Sequence, residues 1–303
     1  MAVTEPAPRG STRVHWREWA LFLAFIAPNM VLLVAFTYRP MVESIRLSFY
    51  DWDMISPGKT WVGLKNYQEY FADETSRYII RNTLVFTVAT VAGTMAIGLA
   101  LALLLNQGLR GREAARTVLF APYVVSGAAV GIIWLFIFDP RFGLVTSILG
   151  KAGITSPNWY NDPDWAMPMV IIVYIWKNLG YATVVYLAGL QTVPRELYEA
   201  ARVDGAGRWA RFWHVTLPQL SPMTFFLLIT TILSSMQAFD IINVMTDGGP
   251  LDATKTMVYH VYDEGFVRFR VGNASAIATV LFVILLAVTL LQVKFLERRV
   301  NYG

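Results

Sequence analysis

Three groups of residues in this sequence have the types and spacing to do chemistry. The stretch ELYEAARVDGAG at 196–207 gathers Glu196, Glu199, Arg202 and Asp204 into one short charged run between apolar segments. Lys177 and Asp240 are ionisable residues inside such segments. His15, His214 and His260 are the only histidines, far apart in sequence and expected on both sides of a membrane. No cysteine is present, which removes disulfides, thiolate chemistry and cysteine-bound metal. The phosphate-loop pattern G-x-x-x-x-G-K-[ST] is missing, as are H-E-x-x-H and G-x-S-x-G. No nucleophile–base pair is visible. The sequence therefore predicts no catalytic residue, no metal ligand set and no cofactor held by this chain.

The elements that must position these residues are apolar and long. Of the 303 residues, 55% are hydrophobic and 15% charged, and the mean hydropathy is +0.47. A soluble domain runs ~45–50% apolar and ~25% charged. A helix crosses a bilayer with ~20 apolar residues. Segments of that kind recur at 19–38, 79–105, 117–138, 166–190, 223–244 and 274–293, which predicts an all-α protein with six transmembrane helices. Lysine and arginine crowd the short loops on one side, at Arg9, Arg13, Arg17, Arg110, Arg112, Arg116, Arg195, Arg202, Arg208, Arg211, Lys294, Arg298 and Arg299. Basic residues mark the cytoplasmic face, so both termini and the 196–207 stretch are expected there. The organisation expected is a cytoplasmic tail at 1–18, a transmembrane domain at 19–296 with a loop at 193–217, and a cytoplasmic tail at 297–303. The long outer loop at 39–77 is rich in aromatics and is expected to be folded.

Within 193–217 the pattern turns amphipathic. Pro194 suits a helix start, Glu196 its first turn and Arg202 its last. Gly205 and Gly207 can end that helix and reverse the chain. Trp209, Phe212 and Trp213 then form an aromatic stripe, with Arg208 and Arg211 off it, as a helix at the membrane interface requires. Ser221 and Pro222 suit the cap and first residue of the next span. Ala200 and Ala201, flanked by Glu199 and Arg202, permit close approach by another surface. An ordinary solvated loop fits these residues as well.

The motif narrows the choice. Glu199–Ala200–Ala201, Gly205 and Val215-x-Leu217–Pro218 resemble the cytoplasmic signature E-A-A-x(3)-G-x(9)-I-x-L-P of ABC importer permeases, with Val215 in place of isoleucine. Ser48–Phe49–Tyr50–Asp51–Trp52, Val62–Gly63–Leu64–Lys65–Asn66–Tyr67 and Asp247–Gly248–Gly249–Pro250 are similar to the first permease subunit of carbohydrate-type importers. Ala253–Thr254–Lys255–Thr256, Tyr262–Asp263–Glu264–Gly265–Phe266 and the chain from Phe295 to Tyr302 most resemble the glycerol-3-phosphate branch. The resemblance implies a six-helix permease in the bacterial inner membrane whose loop, through Glu199, Ala200, Ala201, Asp204, Gly205, Leu217 and Pro218, docks on an ATPase. It implies four partners: a second homologous permease, two ATPase subunits that bind ATP and Mg, and an external solute-binding protein. Membrane lipid surrounds the assembly, and no nucleic acid is involved. The solute implied is glycerol-3-phosphate or a glycerophosphodiester. A disaccharide or oligosaccharide importer is the alternative within transport, and a stand-alone channel or secondary transporter the alternative outside it.

Two readings inside the membrane stay open. A charge at bilayer depth costs at least ~2.5–3.5 kcal/mol, so Lys177 and Asp240 pair with each other, or Lys177 snorkels outward from a helix that begins later, or one or both face a solute path. Gly127-x-x-x-Gly131 permits close helix packing, either inside this chain or against a partner permease. Trp134, Trp176 and Tyr186 are further aromatics in these spans, with no individual role assigned.

Overall fold

A computed structural model describes residues 16–107 and 111–296. Most of the 1–18 tail, all of the 297–303 tail, and Arg9, Arg13, Arg110, Arg298 and Arg299 lie outside the described residues. So does most of the resemblance from Phe295 to Tyr302. The chain divides into two units, residues 1–46 and 47–303.

The first unit is a continuous helical rod. Helix α1 (Trp16–Leu33) passes through a π turn at Val34–Tyr38 into α2 (Arg39–Leu47). None of its described side chains is buried, and Phe25 and Phe36 are among the most open large residues. The α1 part, apolar on all sides, is built for lipid, while α2 carries Arg39, Glu43 and Arg46 and is amphipathic. The expected first span ended at Tyr38; the helix runs on to Leu47.

The second unit opens with a short hairpin, β1 (Tyr50–Asp51) antiparallel to β2 (Thr60–Trp61), with Tyr50 opposite Trp61. Helix α3 (Lys65–Ala72) follows, tied to the hairpin by the Asn66 amide, which donates to the Ser48 and Tyr50 carbonyls. Helix α4 (Glu74–Leu105) begins where Asp73 accepts from the Ser76 backbone N–H and hydroxyl. Next come α5 (Arg112–Val124), α6 (Gly127–Ile137) and the short α7 (Leu144–Lys151). Helix α8 (Pro163–Thr192) starts with Asp162 as cap and Pro163 in the first turn. After it run α9 (Arg195–Val203), α10 (Arg208–Arg211), a π turn at Phe212–Thr216 and α11 (Leu217–Gln219). The described residues end with α12 (Ser221–Met236), α13 (Asp240–Thr246), α14 (Met257–Tyr262), a π turn at Asp263–Val267 and α15 (Val271–Leu296).

Among the described residues, four helical stretches are long and apolar enough to cross a membrane: Trp19–Leu47, Glu74–Leu105, Pro163–Thr192 and Val271–Lys294. The count reaches six when each of two bent pairs is taken as one span. This corrects the expected third and fifth spans. The third is broken into α5 and α6, bent by 104°. Pro122 withdraws a backbone donor in the last turn of α5, and Ser126 caps the new helix by accepting from Ala129 N–H. The fifth, expected at 223–244, stops at Met236 and resumes as α13 at Asp240. Its helical partner in the bent pair lies on the other side: Arg208–Gln219 meets Ser221–Met236 at 65°. Ser221 opens α12 from inside, donating to the Pro218 carbonyl, and Leu220 is the cap.

Helices α4 and α8 run side by side in the same direction. Phe86 meets Tyr174 edge-on at 5.1 Å, and further along Gly98 faces Ala182 and Thr183. Three buried clusters stack along this pair. One joins Tyr70, Ile79, Met257 and Ile277 at the α3 end; one joins Phe86, Val173, Ile241 and Ile242; one joins Ala102, Leu187, Leu190 and Leu220 at the α9 end. Helix α5 packs antiparallel on α8 because Gly180 lets the backbone of Leu119 and Phe120 approach. In Gly127-x-x-x-Gly131 the two glycines face Asp240, Val244 and Met245 of α13, so this spacing is used for packing inside the chain.

A side chain at Gly180 would therefore separate α5 from α8. Gly180→Val is expected to destabilise the solubilised protein by about 1–3 kcal/mol, the usual cost of overpacking. Gly58→Ala, where nothing lies within 4 Å, should leave it unchanged. Equal melting temperatures for the two variants would show that the contact does not constrain the bundle.

Candidate functional site

Helix α9 carries the charged stretch. Its termination is a Schellman motif: Ala206 N–H donates to Ala201 C=O (2.8 Å) and Gly205 N–H to Arg202 C=O (3.1 Å). Gly205 has φ +80°, a backbone state that favours glycine, and no atom crowds it. Glycine is thus required by the turn and not by space. The expected helix–hinge–helix pattern is present, with two adjustments. Pro194 is the cap and not the first helical residue, and Gly207 caps α10 with an extended backbone. Glu199, Ala200, Asp204 and Gly205 are exposed, while Ala201, Leu217 and Pro218 are half-buried. Tyr198 and Thr216 share a hydroxyl hydrogen bond (3.1 Å) that holds α9 against the following π turn. No residue of α9 is buried. Val203 is 87% exposed and Trp209 77%, so the loop presents an uncovered apolar edge beside its charges.

A second feature lies inside the bundle. A cavity of about 250 Å³ opens between four helices. Thr90, Val91 and Thr94 of α4 line it with Tyr123 of α5, Tyr174, Asn178 and Tyr181 of α8, and Thr230, Thr231 and Ser234 of α12. None of these residues is charged. Tyr123 and Tyr181 stack at 5.0 Å with an interplanar angle of 12°. The Thr90, Thr230 and Thr231 hydroxyls donate back to the carbonyls of Phe86, Phe226 and Leu227 on their own helices. The Asn178 amide likewise donates to Tyr174 C=O, leaving its oxygen available. Walls of hydroxyls, one amide oxygen and aromatic faces suit a small polyhydroxylated solute.

The two intramembrane charges are not paired with each other among the described residues. The Lys177 ammonium donates to the Tyr123 carbonyl (3.1 Å) and lies 5.5 Å from the Tyr123 ring centroid. It stands behind a cavity residue without being part of the lining. The Asp240 carboxylate, on the first residue of α13, accepts from Ile241 N–H (3.0 Å) and fills the space beside the Gly127 Cα. Trp134 and Trp176 pack edge-on at 5.2 Å and Tyr186 is buried among leucines; none of them lines the cavity.

Sequence reasoning passed over the cavity residues. Their signal is polar periodicity inside apolar spans: Thr90 and Thr94 four apart, Tyr174, Asn178 and Tyr181 four and three apart, Thr230 and Ser234 four apart. Each set marks one helix face.

At the α3 end, a network of charges joins the 252–270 region. Lys255 bridges Asp252 (2.7 Å) and Asp263 (2.9 Å), Arg268 reaches Asp263 and Glu264, and Arg270 reaches Glu264 (3.2 Å). Burial, and then the Lys255 charge, pushes the His260 imidazole down to about 4, so it is neutral at pH 7. His260, Asp263 and Glu264 have metal-ligand spacing, but Lys255, Arg268 and Arg270 already neutralise both carboxylates. The group is an ion-pair network.

The family described as "Binding-protein-dependent transport system inner membrane component" matches residues 94–302. The sn-glycerol-3-phosphate transport system permease protein UgpA of Agrobacterium fabrum is 37% identical over 279 residues, 92% of this chain and 95% of that protein. The probable ABC transporter permease protein YurN of Bacillus subtilis is 36% identical over 277 residues, 90% of this chain and 94% of that one. A crystal structure of a bacterial ABC transporter that imports the acidic polysaccharide alginate contains a chain with TM-score 0.82 and 26% identity, covering 93% of this chain and 96% of that chain. With its apolar spans and its Glu199–Ala200–Ala201 loop, the chain belongs to the inner membrane components of binding-protein-dependent transport systems and is a multi-pass ABC permease.

Proposed function

We propose that this chain is one of two permease subunits in an ATP-driven importer and forms half of the translocation path for glycerol-3-phosphate or a glycerophosphodiester. The observation that carries the reading is the hydroxyl-lined cavity, uncharged in its walls, with the Lys177 ammonium held just behind Tyr123. The walls match a glycerol moiety, and Lys177 supplies a positive field for a phosphate. The glycerol-3-phosphate permeases among its relatives support the same solute class. Asp240, outside the cavity lining, takes part in this path through its contact with Gly127 at the start of α6.

The partners in this reading are a homologous permease, two ATPase subunits that bind ATP and Mg, and an external solute-binding protein. The α9 end faces the cytoplasm, and Glu199, Ala200, Ala201, Asp204, Gly205, Leu217 and Pro218 form the ATPase contact. No catalytic step is assigned to this chain. The loop is attached on both sides to cavity walls, since α8 runs into α9 and α11 runs into α12. A shift of α9 on an ATPase would reach Tyr181 through one and Thr230 through the other. A neutral disaccharide or oligosaccharide is the second reading, favoured by the lack of any charge in the lining.

Orientation is testable directly, because the chain has no native cysteine. A thiol at Val203 should be labelled only from the cytoplasm and one at Glu74 only from outside; the opposite pattern would reverse the assignment. Glu199→Ala removes one side of a charged docking contact, a loss of about 2–5 kcal/mol. It should abolish solute-stimulated ATP hydrolysis in the assembled complex while leaving the protein inserted. Near-normal transport would remove α9 as the docking element. For the solute, Asn178→Ala or Thr231→Val takes away one hydrogen-bonding group, about 0.5–1.5 kcal/mol or about 2- to 12-fold in apparent affinity. Lys177→Met should lower the response to phosphorylated solutes more than to neutral sugars. An unchanged ratio between the two solute types would favour the sugar reading.

A further inference from the structure

The bend between α5 and α6 ends one helix and starts another at bilayer depth. The last carbonyls of α5 and the first N–H groups of α6 lose their intrahelical partners there. They also carry the opposite partial charges of the two helix dipoles. Ser126 answers one donor, since its hydroxyl accepts from Ala129 N–H. What surrounds the rest is unusual. Lys177, from α8, donates its ammonium to the carbonyl of Tyr123, one residue from the end of α5. Asp240, from α13, sets its carboxylate against Gly127, the first residue of α6. The cation meets the negative end of α5 and the anion the positive end of α6. Only glycine at 127 leaves room for that carboxylate.

We propose that Lys177 and Asp240 are positioning residues of the transport path, each holding one half of the broken third span, and that together they set where Tyr123 stands in the cavity. Tyr123 is the only cavity residue that α5 contributes among the lining residues, and the Lys177 clamp grips its own carbonyl. Each charge is balanced by a helix end, so neither needs the other as a counter-ion. The consequence for Tyr123 rests on the cavity being the solute path; the clamp itself does not.

The test measures the bend. Val118 on α5 and Ile133 on α6 are 71% and 55% exposed and tolerate a label. With no native cysteine, nitroxides at Val118→Cys and Ile133→Cys are the only labels on the chain. Their distance distribution is recorded by pulsed electron spin resonance in the assembled, nucleotide-free complex. The unsubstituted background should give a narrow distribution. Asp240→Asn and Lys177→Met should each broaden and shift it, and Lys177→Arg, which keeps charge and donor, should restore it. Gly127→Ala keeps both charges but evicts the carboxylate, and should reproduce the Asp240→Asn result if that variant fails to assemble. Unchanged distributions in Asp240→Asn and Lys177→Met overturn the proposal. So does recovery of the narrow distribution in the Lys177→Met, Asp240→Asn double variant, which would mean that the two charges answer each other. Solute response in Asp240→Asn is read separately. A changed distance with an unaltered response to every solute would keep the clamp and remove the cavity as the path.

Discussion

A backbone that stops being helical inside a bilayer has no water to satisfy it, and every freed N–H and C=O must find a partner in the protein. This constraint governs the architecture. The third span turns by 104° at Val125 and Ser126, and the region around that turn holds a capping serine, a lysine from α8, an aspartate from α13 and a glycine that makes room. The break also keeps α5 packed on α8 while α6, still touching α8 through Trp134 and Trp176, turns to pack on α13. The cavity between α4, α5, α8 and α12 meets α5 at Tyr123, in its last turn.

Much of this was legible in the sequence, and the parts that were not share a cause. The long spans α4, α8 and α15 follow from length and apolarity alone, within a few residues at each end. The loop at 193–217 was legible because it breaks the apolar pattern with Pro194, Gly205 and Gly207, residues whose backbone preferences are local. The third and fifth spans read as continuous in the sequence because hydropathy sums over a window and is blind to direction: α5 with α6 passes for a single apolar span. The clue was present at Pro122 and Ser126–Gly127, a withdrawn donor followed by a cap. The roles of Lys177 and Asp240 could not be read at all, since their partners are helix ends 54 and 113 residues away in sequence. The cavity was hidden for a similar reason. Threonines inside apolar helices satisfy themselves on their own backbone, and periodicity alone does not say which faces of four helices converge.

The two ends of the molecule are built by different means. At the α3 end, the hairpin, α3 and the 252–270 region are locked by side chains that reach across the sequence: Asn82 to the Asp252 carbonyl, Met257 N–H to the Thr83 hydroxyl, and the network around Lys255 and Glu264. At the α9 end, among the described residues, the Tyr198–Thr216 hydrogen bond and the Schellman turn hold α9, and none of its residues is buried.

The threonine hydroxyls of the cavity give it a handedness of a chemical kind. Thr90 on one side and Thr230 and Thr231 on another direct their hydrogens into their own helices, so what they show the cavity is lone pairs. The facing walls from α5 and α8 carry tyrosines, whose phenols can give a hydrogen as well as take one. Three of the five hydroxyls on the α4 and α12 walls therefore only receive hydrogen bonds, with Thr94 and Ser234 still able to give one, while the α5 and α8 walls offer hydrogens from every tyrosine. A guest with hydroxyls at one end and bare oxygens at the other would have a right way round.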